Sequence, residues 1–293
     1  MRLRGPPDNR SIPELLSFGV VNIDKPMGPS AHQVSAWVRE IVKVNKAAHT
    51  GTLDPKVTGC LPILLGDATR LSKLLVSGKE YMVILELHKS GEDENRLNKV
   101  LEEFKGKIYQ KPPKKSAVSR KMRIREIYDI ELIEIEERRA LLRVECESGT
   151  YIRKLCHDIG LVLGYGAHMG DLRRVKSDPF DDRNLIKLYE LVDAIEIWKQ
   201  EGDERPIREI IHPGEDVLVG IPRVIISETA AVQVARGAPV YAPGVISIEE
   251  EMVEKGTRVA CFTEKGSVIC LGEYVGEIDA NKGKVVELER VLV

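Results

Sequence analysis

The sequence predicts an α+β protein in two units, and three observations predict it. Lys79 to His88 alternates apolar and polar residues with the period of a strand, and Ile124 to Glu136 and Arg138 to Glu147 repeat that alternation as a β-hairpin, so the sheet is at least partly antiparallel. Between these runs lie stretches with the three-and-four spacing of amphipathic helices. After Val217 the texture changes to short β segments punctuated by glycines at 220, 237, 244, 256, 266, 272, 276 and 283, as in a small all-β barrel or sandwich. A length of 293 residues suits one large domain and one small one.

In chain order, Val20 to Lys25 reads as a short apolar strand stopped by Pro26 and Gly28. Ser30 is placed to cap a helix whose inward stripe is Val34, Trp37, Val38, Ile41 and Val42, with Trp37 expected to pack rather than to stack on a base. The segment His49 to Gly59 reads as a loop, followed by a strand at Leu61 to Leu65. A helix from about Asp67 then turns Leu71, Leu74 and Leu75 inward and ends near Gly78. In the strand Lys79 to His88, Tyr81, Val83, Leu85 and Leu87 share one face, so Tyr81 begins a core-facing row and its hydroxyl needs a partner. A helix at Glu92 to Phe104 precedes the hairpin. A second helix, Tyr151 to Gly164, directs Ile152, Leu155, Ile159, Val162 and Leu163 inward. Gly164 to Gly170 holds three glycines but lacks the spacing of a dinucleotide fingerprint. A helix at Asn184 to Trp198 closes the large unit, and Gly202 to Pro206 has the composition of a linker.

The loop His-Thr-Gly-Thr-Leu-Asp-Pro-Lys-Val-Thr-Gly at 49–59 is the one stretch where several unusual residue choices coincide. Gly51 and Gly59 bracket it with backbone freedom, and Pro55 restrains both itself and Asp54. Asp54 then sits among apolar and cationic neighbours, a setting for a nucleophile or base, while Asp-Pro is equally a turn-initiating pair. Spacing leaves both readings open. Arg153 falls in the first turn of its helix, where a cation opposes the positive end of the helix dipole; an acidic partner explains it, and so does exposure to solvent.

Charge is uneven. Nine Lys or Arg and no Asp or Glu lie between Lys105 and Arg125, so the rest of the chain carries −11 against the whole chain's −2. Lys111, Lys114, Lys115, Arg120, Lys121 and Arg123 are interleaved with Tyr109, Pro112, Pro113, Ser116 and Ser119, the texture of a phosphate-binding loop and hence of an RNA partner; the alternative is a solvated face. Five cysteines without a Cys-x-x-Cys pattern indicate neither a disulfide framework nor a zinc site. Cys156 and His157 are adjacent on a helix and so do not face each other as a nucleophilic pair. No dinucleotide fingerprint or P-loop occurs, so neither a cofactor nor a metal is expected. With no long apolar run and no secretory signal, the expectation is a cytoplasmic protein that does not enter a membrane.

Five segments in order carry a resemblance. They are Asn22-Ile23-Asp24-Lys25-Pro26 with Gly28; His49-Thr50-Gly51-Thr52-Leu53-Asp54-Pro55 with Gly59; Gly78-Lys79-Glu80-Tyr81; Gly149-Thr150-Tyr151-Ile152-Arg153; and Gly166-Ala167-His168-Met169 with Leu172-Arg173-Arg174. On these the chain resembles the TruB/dyskerin family of RNA pseudouridine synthases, most closely its archaeal branch, the catalytic subunits of H/ACA ribonucleoproteins. The C-terminal part is similar to a PUA domain through Gly237-Ala238-Pro239-Val240, Pro243-Gly244 and Leu271-Gly272-Glu273. The resemblance implies a mixed, largely antiparallel-sheet catalytic domain at 20–216 and a small β-barrel PUA domain at 217–293, after an N-terminal extension at 1–19.

It also implies roles. Asp54 matches the catalytic aspartate that attacks the uridine or its ribose, and Arg153 the arginine that pairs with it and favours its charged form. Tyr81 matches the tyrosine that stacks on the flipped base. Lys25, His49, Lys79 and Leu172, together with the basic loop, fall where substrate RNA is bound. The implied function is isomerisation of uridine in rRNA under an H/ACA guide RNA with accessory proteins, and in the T-loop of tRNA. The alternatives are a stand-alone tRNA T-loop enzyme and a non-catalytic RNA-binding scaffold.

Overall fold

The computed structural model describes residues 3–72, 78–112, 121–249, 253–276 and 282–293. The first part of the chain runs α1 (Ile12–Ser17), β1 (Gly19–Lys25), α2 (Ala31–Val42), β2 (Ala47–His49), β3 (Thr58–Leu65), β4 (Lys79–Leu87), α3 (Glu94–Glu102) and β5 (Gly106–Gln110). It continues β6 (Arg123–Glu136), β7 (Arg139–Cys146), α4 (Ile152–Leu163), β8 (Ala167–Ser177), β9 (Phe180–Asp181), α5 (Leu188–Glu201), α6 (Arg205–Ile210) and β10 (His212–Pro213). Among the described residues these strands form one ten-stranded sheet in the order β10-β1-β3-β8-β4-β7-β6-β5, with β2 on β3 and β9 on β8. Its ladders are antiparallel except at the β3–β8 junction, where Thr58 and Gly59 run parallel to Arg173 and Arg174.

Local chemistry explains the elements. In β4 the even alternation buries Tyr81, Val83, Leu85 and Leu87 on one face, as expected. Ser30 and Gln33 cap α2 reciprocally: the Gln33 backbone N–H donates to Ser30 Oγ (3.2 Å) and the Ser30 N–H to Gln33 Oε1 (2.8 Å). Val34, Ser35, Val38 and Val42 make its buried stripe, but Trp37 is 42% exposed, because it lies on the flank of that stripe and Ser35 takes the inward place. On α4, Ile152, Leu155, Cys156, Ile159 and Leu163 pack inward; Val162 faces solvent, because the buried stripe is turned toward its other flank, where Gly160 is pressed against Ala167.

Gly164 ends α4, and Gly166 leads into β8, an eleven-residue strand at the centre of the sheet. Gly202 caps α5 in the left-handed region, and α6 follows at once with Ile207 buried, so the polar stretch is a helical corner and not a free linker. Leu74 and Leu75 lie outside the described residues.

The second sheet, six-stranded and barrel-like among the described residues, comprises β11 (Arg223–Ile226), β12 (Val240–Tyr241), β13 (Val245–Ile248), β14 (Arg258–Thr263), β15 (Val268–Tyr274) and β16 (Lys284–Val291), with α7 (Glu228–Val234) against it. Each sheet has its own core. A third cluster joins them: Phe18, Val20, Leu64 and Leu71 from the first part pack with Val217, Phe262, Leu271 and Leu292. Among the described residues no helix is long and apolar enough to cross a membrane.

Candidate active site

The loop between β2 and β3 is held from below and open above. Leu53 and Val57 are buried and plug it into the core, whereas Asp54, Pro55 and Lys56 between them are exposed. Asp54 initiates a turn, its carbonyl accepting from the Val57 N–H at 3.0 Å, and the Gly28 N–H donates to the Pro55 carbonyl at 2.8 Å. Gly59 has φ +100°, and a Cβ there would stand 2.2 Å from the Arg174 carbonyl. Gly51 needs no such backbone; it is small because a side chain would press on Arg174 Nη1 and Lys79. Turn and chemistry are therefore one arrangement.

The Asp54 carboxylate accepts a hydrogen bond from the Arg153 guanidinium, 99 residues away in sequence. The pair meets the need inferred from the position of Arg153, whose charge at the start of α4 lacks local support. Both side chains remain open, at 55% and 54% exposure, so a large ligand can reach them. Beside the pair a cleft of ≈ 470 Å³ is lined by Met27, Lys56, Arg153, Met169, Gly170, Asp171 and Leu172, which puts Leu172 on an accessible wall.

Tyr81 lies deeper, at the loop end of β4. Burial pushes its phenol above the usual tyrosine value, and its hydroxyl hydrogen-bonds the Arg174 side chain, which answers its need for a partner. Arg174 also donates from Nε to the Cys60 carbonyl (2.7 Å) and from Nη2 to the Gly51 carbonyl (3.1 Å). Lys79 lies beside Gly51; burial and the Arg174 charge lower its pKa to about 8. His49 is brought down to about 4, by burial and then by His32 and Arg174, so it is a neutral imidazole at pH 7. Its ring meets His32 edge-on at 4.8 Å.

Lys25 lies underneath. It is fully buried, and its ammonium donates to the carbonyls of Pro26 (2.9 Å), Pro55 (3.2 Å) and Val57 (2.8 Å), which clamps the Asp54 turn from behind. Its sequence neighbour Asp24 pairs with Arg173 at 2.9 Å.

At the root of the basic segment, Gln110 binds both backbone groups of Tyr151, accepting from its N–H (2.8 Å) and donating to its carbonyl (3.2 Å). Lys111 and Lys121 are exposed and Arg123 is half-buried at the start of β6; Lys114, Lys115 and Arg120 lie outside the described residues. All five cysteines are buried free thiols, with Cys156 pushed up to about 12 by burial, far from a reactive thiolate.

Arg174 and Gln110 carry no signal that sequence spacing could have read. A buried arginine or glutamine is set apart from a surface one only by what closes over it.

Residues 39–152 match the N-terminal domain of TruB family pseudouridylate synthase, 153–219 the C-terminal domain of tRNA pseudouridylate synthase B, 222–292 the PUA domain and 5–35 the DKCLD domain. The chain is 54% identical over 304 residues to the probable tRNA pseudouridine synthase B of Halobacterium salinarum, covering 100% of both. It is 44% identical over 294 residues to that of Pyrococcus abyssi, covering 98% of this chain and 87% of the relative. Among solved structures, it superposes on a chain of a Cbf5-Nop10-Gar1 complex with TM-score 0.91 and 42% identity, covering 99% of this chain and 90% of that one. The same coverage and TM-score, at 40% identity, hold for a chain of an H/ACA ribonucleoprotein bound to a substrate RNA containing 2′-deoxyuridine.

Proposed function

Because the chain belongs to the TruB family of pseudouridylate synthases, we propose that it isomerises uridines within RNA to pseudouridine using Asp54 as its nucleophile. The Asp54–Arg153 contact carries this reading: it delivers an oriented, accessible carboxylate with a cation at its side. The carboxylate attacks the target nucleotide, the glycosidic bond breaks, and the base turns. A bond from C1′ to carbon 5 replaces the one to nitrogen, the C5 proton passes to solvent while N1 takes up a proton, and the aspartate is released unchanged. Tyr81 supplies the face against which the detached base is held, offsetting the few kcal/mol lost when a base leaves its stack. Neutral His49 and Leu172 border the space for that base. Lys25 and Lys79 act on the loop from beneath. No step needs a cofactor.

Partners follow from the relatives in H/ACA particles: a guide RNA selects the uridine, accessory proteins complete the particle, and the second sheet with residues 217–293 serves as the PUA unit that holds RNA. The curated names of the relatives favour tRNA as a further substrate. The particle acts in the cytoplasm.

Asp54→Asn should lower turnover by more than about a thousandfold, the scale on which loss of a nucleophile registers, with RNA affinity nearly unchanged because affinity comes from many phosphate contacts. The assay is nucleoside analysis of a labelled rRNA fragment with and without its guide RNA and accessory proteins, beside a tRNA transcript. Appreciable turnover by the variant overturns the assignment of Asp54. Release of free uracil would indicate a hydrolase, and binding without any conversion a scaffold. Conversion of tRNA alone, indifferent to guide and accessory proteins, would select a stand-alone enzyme.

A further inference from the structure

Arg174 is only 1% exposed, and among the described residues no carboxylate pairs with it. A guanidinium taken out of water without an ionic partner is costly, so its place in the sheet calls for an account. Its donors go to three different elements: the Cys60 carbonyl on β3, the Gly51 carbonyl three residues before Asp54, and the Tyr81 hydroxyl on β4. Its main chain does a further job. Arg174 runs parallel to Gly59, the far end of the same loop, so closely that no side chain fits at 59. Both ends of the Asp54 loop thus rest on residue 174, one through its side chain and one through its backbone.

We propose that Arg174 is a positioning residue for the isomerisation, setting the gap between the Asp54 loop and the Tyr81 ring in which the detached base turns. A base that has lost its covalent link to the sugar is held only by what lies above and below it. A loop that drifted away from the ring would let the base leave the orientation in which carbon 5 meets C1′. Arginine suits this work because its planar fork directs several donors in fixed directions at once, and lysine cannot reproduce that. The inference rests on the reading of Asp54 and Tyr81 given above.

Arg174→Lys in the full chain, assayed under the conditions that support wild-type turnover, should lower the single-turnover rate about 100-fold, the effect expected of misplacing reacting groups by about 1 Å. RNA affinity should stay within about twofold, since a buried side chain makes no phosphate contact. The Tyr81→Phe background separates positioning from general loosening. If Arg174 acts partly through the Tyr81 hydroxyl, Arg174→Lys costs several-fold less there than in the wild type. Guanidinium ion should partly restore Arg174→Ala.

A rate within about threefold of wild type overturns the proposal, as does an equal loss in both backgrounds, or a loss confined to RNA affinity. Should Arg174→Lys fail to fold, Gly51→Ala tests the same contact from the loop side, where a methyl would stand 3.3 Å from Arg174 Nη1. It should lower the rate with affinity retained, and wild-type behaviour would count against the proposal. If Asp54→Asn is inactive while Arg174→Lys is fully active, only the role of Arg174 falls. If Asp54→Asn remains active, the reading beneath it falls first.

Discussion

At the scale of single residues, the site keeps its charges apart by depth. Asp54 and Arg153 meet at the surface, where both remain hydrated, while Lys25, Lys79 and Arg174 are buried beneath them, Lys25 holding carbonyls and Arg174 carbonyls and a phenol. His49 is half-buried beside them, and its pKa is lowered from 6.5 to about 4. Between these values the unfolded chain binds a proton that the folded one refuses, so stability falls as pH drops from about 6.5 to about 4 and is fully retained above. The effect is on the order of 2 kcal/mol after discounting for the partial access of solvent to the ring. Urea unfolding at pH 7 and pH 5 should show this loss in the wild type and a smaller one in His49→Phe. Equal losses would mean that His49 is not the group refusing the proton.

At the scale of elements, the coupling between the basic segment and Arg153 is mechanical. β5 ends at Gln110, Gln110 grips Tyr151, and two residues on stands Arg153. Gln110→Ala takes both side-chain contacts from Tyr151, whose carbonyl keeps the Lys154 and Leu155 N–H donors, and should cost about 1 kcal/mol by denaturation. It also loosens the start of α4, so turnover should fall while phosphate contacts, and hence RNA affinity, are retained. Wild-type activity would show that α4 is anchored well enough without it. The basic segment itself should be read by salt: each lysine or arginine that meets a phosphate contributes about 0.9 to the slope of log affinity against log salt. Neutralising Lys111, Lys121 and Arg123 together should flatten that slope, and an unchanged slope would make the segment a solvated face.

At the scale of the whole molecule, the N-terminal residues tie the two sheets together. Arg10 is fully buried and donates twice to Glu215 (2.8 and 2.7 Å), and Glu215 in turn accepts from the Val268 N–H on β15 (3.2 Å). Arg4 donates to the Leu292 carbonyl at 2.7 Å and lies 3.6 Å over the Phe18 ring. Together with the shared apolar cluster, these contacts join the first sheet and the barrel-like sheet into one body. Removing one partner of a buried pair leaves the other charge unpaired, so Arg10→Ala should cost about 3–5 kcal/mol. Arg205→Ala, which breaks the exposed pair with Asp203, should cost under about 1 kcal/mol. Similar penalties at both sites would mean that the N-terminal clasp is not a structural weld.

What the sequence by itself determined is what depends on near neighbours. The alternation in β4 and the β6–β7 hairpin and the capped stripe of α2 were legible, because burial of one face imposes its period on consecutive residues. The Asp54 loop was legible because its proline restricts the backbone and its glycines free it, both of them local effects. Trp37 and Val162 show the limit: a stripe read by spacing has soft edges, and only the packing partner decides which edge is inside. β8 shows it more strongly. Though central, it reads Ala-His-Met-Gly-Asp-Leu-Arg-Arg-Val-Lys-Ser, because it is held by ladders on both sides while Met169 to Leu172 line a cleft, with Met169 and Leu172 only partly buried against the core, so no strict apolar period is required of it. The contact of Asp54 with Arg153 spans 99 residues, and the threefold grip of Arg174 joins β3, β4 and β8. Only the tertiary structure decided these, because strand order and the closing of a site depend on surfaces that exist only once distant segments have met.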